Sequence, residues 1–316
     1  SRNKEELMKI DEGDKIDYLS IRFSHPRWMI ENWIKQYGYE FVEGLCMENN
    51  NRPKLNIRVN TLKITREELS KRLSSYGYMI RKTSYAKDGI IIDNPVRITN
   101  IDEFKLGFFI IQDESSMLAS QILNPRENSL VLDLCSAPGG KATHLAQIMG
   151  NKGRIISRDI YDHKLNLIKQ NANRLGIDII KVQKFDAMKL DENLIEQVDY
   201  CMVDAPCSGL GIIRRRPEIK WNRNKEDMKQ LDNIQRRILN NAKKYIKPGG
   251  IMVYSTCTIG EQENLNRINN LLSENKELKL VGFENLICST KHIDNSKKGY
   301  IEMFPHIHNT DGFFIA

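Results

Sequence analysis

Two cysteines stand where this chain could do covalent chemistry: Cys207 in VDAPCSG and Cys257 in YSTC, each in a loop just past a run that reads as a strand. Cysteine is often no more than a small buried hydrophobe. In loops beyond the carboxyl ends of neighbouring parallel strands, where active sites form, a thiol instead becomes a nucleophile once it is deprotonated. A helix is expected over residues 260–273, and its N-terminus would favour the thiolate of Cys257. Cysteines 46, 135, 201 and 288 lie in apolar or packing contexts and read as structural, with Cys135 beside a second candidate site. None of the six forms a CxxC pair, which argues against a zinc site and a disulfide framework and for a reducing compartment.

The second site is the run VLDLCSAPGGKATHLA, residues 131–146: a short apolar strand, a Gly-Gly turn and a helical pattern. Gly139 and Gly140 remove the Cβ atoms that would hold a ligand off the backbone, leaving the first helical N–H groups pointing outward. With Cys135, Ser136, Ala137, Pro138 and Lys141 they form a loop into which an anionic group fits, although any parallel sheet makes similar connections. Asp159 closes the next strand, RIISRD, where an acid can accept both hydroxyls of an adenosine ribose. Asp186, after IIKVQK, either meets an adenine amino group or is a solvated loop residue. APGGK is not GxGxxG, which weakens a dinucleotide reading. The loop and the acid together are compatible with S-adenosylmethionine, whose carboxylate would meet the helix N-terminus.

These groups need a scaffold, and the pattern supplies a Rossmann-like one. From about residue 126, strands and helices alternate: LVLDL, a helix over 140–149, RIISRD, a helix over 161–175 closed by Gly176, IIKVQK, VDYCMVD, a helix over 225–246, IMVYS and the helix over 260–273. That is an α/β, doubly wound parallel sheet with ligands beyond the carboxyl ends of its strands. Before it the chain reads as a helical stretch over 14–39, with Pro26 in a first turn, and a small α+β module. The module has strands at 54–60, 78–82 and 89–93, and a helix capped by Thr65 and Glu68. Residues 107–123 read as a strand and a helix starting near Ser115, and the turn-rich NPREN is the joint between regions 1–125 and 126–316. Two domains suit 316 residues.

LDLCSAPGGK, FDAMKLD, VDAPCSG, IRRRPEIKW and YSTC, with QDESS and DGFF, resemble the RNA cytosine-5 methyltransferase family. The resemblance runs from about Leu19 to the end of the chain, and the order of VDAPCSG and YSTC is specific to that family. SIRFSHPRWMIENWIKQYG and the ending DGFFIA are most similar to the Rsm B type, which modifies cytosine 967 of 16S ribosomal RNA and usually carries a helical NusB-like domain in front. That domain is absent here, which together with a start at Ser1 suggests a trimmed or processed chain. Ala142 departs from the family, many of whose members place Thr there.

The resemblance implies a mechanism and its residues. C5 of cytosine is too poor a nucleophile to take a methyl group unaided, so a thiolate first adds at C6. By resemblance that thiolate is Cys257, Asp204 serves N3 of the base, Lys141 orients Asp204 or the base, and Cys207 helps release the product. DNA cytosine methyltransferases use the cysteine of their Pro-Cys instead, which would make Cys207 the nucleophile. The cofactor would be S-adenosylmethionine, held by residues 135–141, Asp159, Asp186 and Asp204.

Composition and charge set the partners. A balance of 48 Lys and Arg against 41 Asp and Glu gives +7, which favours a polyanion. Arg214, Arg215, Arg216 and Lys220, with Trp221, follow the Cys207 loop and are expected to grip phosphates and stack a base. Arg58 and Asn60 alternate with apolar neighbours and either form a solvated sheet face or meet RNA. No apolar run approaches the ~20 residues that cross a bilayer, so a cytoplasmic monomer without membrane or metal partners is expected, acting on RNA, most simply 16S ribosomal RNA. The same chemistry on transfer RNA or another ribosomal site, and a non-catalytic assembly factor, are the rival readings.

Overall fold

A computed structural model describes residues 14–316; the expectation drawn from Ser1 lies outside them. The N-terminal stretch is broken into α1 (Lys15–Phe23), α2 (Arg27–Tyr37) and α3 (Tyr39–Asn49). Ser24 adopts a left-handed conformation, and Pro26, lacking an N–H, stands at the N-cap of α2 instead of inside its first turn. The helical stretch expected over 14–39 is therefore two helices. Leu19, Met29, Ile30, Trp33, Val42 and Leu45 from all three pack against Leu210, Ile213, Ile219, Ile259 and Phe304, far along the chain.

A four-stranded antiparallel sheet follows, ordered β2-β3-β1-β4, with β1 Leu55–Val59, β2 Ile80–Lys82, β3 Gly89–Ile92 and β4 Phe109–Ile111. Ile57 and Val59 bury one face against Leu69 and Leu73 of α4 (Arg66–Ser75), which begins where the Thr65 hydroxyl accepts from the Glu68 N–H. The short α5 (Asp102–Lys105) leads to β4, and α6 (Glu114–Leu123) leaves it, capped by Asp113. Residues 56, 58 and 60 alternate to the opposite face, as the sequence pattern requires, but that face is closed too: Arg58 is only 1% exposed.

The second sheet has seven strands in the order β10-β11-β9-β8-β5-β6-β7: β5 Leu130–Asp133, β6 Arg154–Asp159, β7 Ile180–Lys184, β8 Val198–Asp204, β9 Ile246–Thr256, β10 Ile301–Met303 and β11 Phe313–Ile315. β5 to β9 run parallel, and β11 and β10 add antiparallel at one edge. α7 (Gly140–Ile148) and α8 (Asp162–Leu175) pack with α6 on one face, where Val131 meets Leu118, Leu145, Met149 and Leu175. After the short α9 (Ile219–Asn222), α10 (Lys225–Tyr245) and α11 (Leu265–Glu274) cover the other, where Leu132 meets Ile238, Leu239, Ile268 and Leu271. A last short helix, α12 (Pro305–His308), joins β10 to β11. Strand order reverses between β5 and β8, so the ligand crevice belongs beyond their carboxyl ends. None of the helices among the described residues is long and apolar enough to cross a membrane.

Candidate active site

β5 ends at Asp133, and the loop after it turns back on itself: Ser136 N–H donates to Arg158 O at 2.9 Å and Gly139 N–H to Ser136 O at 2.7 Å. Gly139 has φ +96°, and a Cβ there would meet Ile168 Cα at 3.1 Å, so a side chain would both strain the turn and push α8 away. The loop delivers the N-terminus of α7 to the crevice. Along this edge each strand from β5 to β8 ends in or near an aspartate: Asp133, Asp159, Asp186 and Asp204. Asp159 accepts only the Tyr161 N–H (3.2 Å) and Asp186 the Met188 N–H (2.9 Å), leaving lone pairs for other donors.

Asp133 was not singled out by its sequence context, where it reads as one polar residue inside an apolar strand. Asp133 and Ser136 are buried side by side, and burial pushes the Asp133 carboxyl up to about 7 against the opposing hydrogen bonds of Ser136 and the Cys135 N–H. S-adenosylmethionine, net cationic with ribose hydroxyls and an amino-acid end, fits this lining of four carboxylates and a backbone cradle. Residues 135–141, Asp159, Asp186 and Asp204 would hold it, with Cys135 using its backbone because its side chain packs into the apolar core. Between about pH 4, where an unfolded aspartate ionises, and about 7, the unfolded chain has released the Asp133 proton and the folded one has not. Stability from this group therefore falls as pH rises through that window. Asp133→Asn is expected to flatten that slope in urea midpoints measured from pH 4 to 7, and an unchanged slope would place the titration elsewhere.

At the ends of β8 and β9, Asp204 and Ser255 lie opposite each other and the Ser255 hydroxyl donates to Asp204 at 2.8 Å. The other Asp204 oxygen takes the Lys141 ammonium at 2.7 Å, and Lys141 sits 5.2 Å from the Phe313 ring centre of β11. Three residues past Asp204 and two past Ser255, Cys207 Sγ and Cys257 Sγ meet at 3.3 Å. The Cys207 thiol is pushed well up, first by its hydrogen bond to Cys257, then by burial and by the charges of Cys257, Glu263 and Asp204. All of these favour the neutral form of the Cys207 thiol. Gly211 seals the loops together: its N–H donates to Cys257 O (3.0 Å), its carbonyl accepts from Gly312 N–H (2.8 Å), and a Cβ on it would meet Gly312 O at 2.0 Å.

Two expectations are corrected. α11 starts at Leu265 and turns occupy the segment before it, so no helix N-terminus stands at Cys257. Most of the residues expected to meet RNA are fasteners inside the protein. Arg58 donates to Gln112, to Gly140 O (2.6 Å) and to Thr143 (3.0 Å), and Asn60 to Gly107 O (2.9 Å) and Leu175 O (2.8 Å), joining the small sheet to α7 and α8. Arg214 bridges Asp311 (3.0 Å) and Glu48 (3.1 Å), Arg215 bridges Asp311 (2.5 Å) and Asp113 (2.7 Å), and Lys220 donates to Asn50 at 2.7 Å. For Arg58, Asn60, Arg214 and Lys220 the physical reason is burial against their own chain, and half-buried Arg215 is held by two carboxylates. Arg216 is exposed and Trp221 is 65% exposed, so these two stay available.

Residues 120–316 match the family model described as 16S rRNA methyltransferase RsmB/F, and residues 25–99 match the RsmF/B-like ferredoxin-like domain. The chain is 38% identical over 310 residues to the probable ribosomal RNA small subunit methyltransferase B of Bacillus subtilis (strain 168), covering 96% of this chain and 68% of that protein. It is 32% identical to the protein of the same description from Synechocystis sp. (strain ATCC 27184 / PCC 6803 / Kazusa), covering 100% of this chain and 71% of that one. The crystal structure of a methyltransferase homolog protein from Pyrococcus horikoshii superimposes with a TM-score of 0.82 at 29% identity, over 95% of this chain and 97% of that one.

Proposed function

The chain belongs to the RsmB/F family of 16S ribosomal RNA methyltransferases, and from that membership we propose that it methylates C5 of a cytosine in 16S ribosomal RNA through a covalent adduct at C6. The observation that carries this reading is the 3.3 Å contact between Cys207 and Cys257 beside the Lys141–Asp204 pair. Two thiols in contact at the crevice suit a cycle that needs a nucleophile at its start and a proton carrier at its end. Cys257 attacks C6, the role that the family pattern gives the cysteine of YSTC, with Cys207 in contact beside it. Asp204, oriented by Lys141 and Ser255, meets N3 and the exocyclic amine as charge builds on the ring. S-adenosylmethionine, when bound, supplies the electrophilic methyl group. Release of the C5 proton and departure of Cys257 then draw on Cys207. In this reading regions 1–125 and 126–316 are the RNA-guiding and catalytic units, and Arg216 and Trp221 are the exposed contacts nearest the cysteine loop.

Bisulfite sequencing of 16S ribosomal RNA from cells lacking the gene, complemented with wild type or with Cys257→Ala, tests the reading. One cytosine should lose protection in the deletion and regain it with wild type alone. If every protected cytosine of 16S ribosomal RNA persists in the deletion, the substrate lies elsewhere. For the cofactor, Asp159→Ala should weaken S-adenosylmethionine binding by ~1.5–3 kcal/mol, the scale of hydrogen bonds to a charged acceptor. Calorimetry giving wild-type affinity would remove Asp159 from the site.

A further inference from the structure

We propose that Glu263 is a positioning residue for methyl transfer, locking the Cys207 loop to the Cys257 loop so that the two sulfurs meet as a pair. The inference rests on the two-cysteine reading above and adds a residue that touches neither substrate nor cofactor. Glu263 lies six residues past Cys257, in the turns between β9 and α11, and is 4% exposed. Its carboxylate accepts three hydrogen bonds: from Ser208 N–H at 2.9 Å, from the Ser208 hydroxyl at 2.5 Å and from Gln235 Nε2 at 2.8 Å. Ser208 directly follows Cys207, and its hydroxyl also meets that of Thr258, which directly follows Cys257, at 2.7 Å. Gln235 donates as well to Pro206 O at 2.9 Å, on the other side of Cys207. The residues flanking both cysteines thus converge on one buried carboxylate. Glu263 is itself tied to β9, because the Tyr254 hydroxyl donates to its carbonyl at 2.7 Å.

The three donors are neutral, so none of them makes an ion pair with this buried carboxylate. Its electrostatic consequence falls on Cys207. That thiol faces Cys257, Asp204, Glu263 and the Tyr254 phenol, while the nearby cations are engaged elsewhere, Lys141 on Asp204 and Arg223 on Ser208 O. Glu263 therefore does two things at once: it sets the distance between the loops, and it favours the neutral form of Cys207 between turnovers.

The test measures methylation of a 16S ribosomal RNA transcript and, without RNA, the pH dependence of Cys207 alkylation by iodoacetamide, mapped by mass spectrometry. Glu263→Gln keeps the volume and much of the bonding but removes the charge. Its Cys207 alkylation midpoint should fall by about one pH unit. Its kcat should drop about tenfold with KM for RNA and cofactor unchanged, and Glu263→Ala, which also removes the bridge, should lose about a hundredfold. Ser208→Ala, which deletes one of the three donors, should give a smaller kcat loss with the midpoint in place, so the inference stays testable if Glu263→Ala does not fold. A Glu263→Gln protein with wild-type kcat and a wild-type Cys207 midpoint overturns the inference, even if its melting temperature falls. Failure of the underlying reading looks different: Cys257→Ala would still methylate, while the alkylation midpoint would continue to report on Glu263.

Discussion

A denaturing gel of Cys207→Ala incubated with S-adenosylmethionine and radiolabelled 16S ribosomal RNA is expected to retain label at the protein band, whereas Cys257→Ala should retain none and transfer no methyl. The two sulfurs are 3.3 Å apart, so either could reach the same C6 atom, and distance alone does not divide their roles. The proton does. Cys207 is buried, hydrogen-bonded to its partner and surrounded by the negative charges of Glu263 and Asp204, all of which favour its neutral form. A neutral thiol is a poor nucleophile, but Cys207 can hand its proton to the departing Cys257 sulfur and then, as thiolate, take the proton from C5, which suits the end of the cycle. Removing it leaves addition and methyl transfer possible and slows elimination by ~100-fold or more, the range for loss of a general acid or base, so the covalent species should build up well above the wild-type level. Label that survives in Cys257→Ala and vanishes in Cys207→Ala would reverse the assignment and return the chain to the Pro-Cys chemistry of DNA enzymes.

Much of the site is legible in the sequence because its parts are local. APGGK is a loop between a strand and a helix whatever surrounds it, and aspartates at strand ends share an edge once the strands are parallel. What the sequence does not display is which polar face is covered. β1 alternates Ile57 and Val59 with Asn56, Arg58 and Asn60, and alternation identifies two faces without saying that the second is pressed against α7 and α8. The run of arginines after the Cys207 loop misleads for a related reason. A cluster of cations normally lies in solvent, and its actual partners, Glu48, Asp113 and Asp311, stand about a hundred or more residues away along the chain. Glu263 sits in IGEQEN, which looks like the polar start of a helix, so the pattern starts the helix five residues early and hides the buried role of this carboxylate.

Those arginines give the second large effect. Arg214 is 7% exposed and its guanidinium joins the N-terminal helices, through Glu48, to the strand-end turn that carries Asp311. Arg214→Met fills a similar volume but leaves Asp311 buried with Arg215 as its remaining guanidinium partner, and should destabilise the protein by ~3–5 kcal/mol near neutral pH. Burial already pushes the Asp311 carboxyl up to about 6, with Asp113 adding to the rise and the two arginines opposing it. Without Arg214 it rises further, so the variant binds a proton in the folded state over a range where wild type does not. The deficit should therefore grow as pH rises above about 6 and shrink towards pH 5, where Asp311 is protonated in both proteins. Urea titrations of the two proteins at pH 5 and 8 measure this difference. The same pair of variants decides what the run is for: below its unfolding transition Arg214→Met should keep the wild-type dependence of RNA affinity on salt, while Arg216→Ala, whose guanidinium is exposed, should flatten it by about one unit of log–log slope. If Arg214→Met instead melts like wild type and flattens the salt dependence, the guanidinium faces phosphate and the buried bridge is wrong.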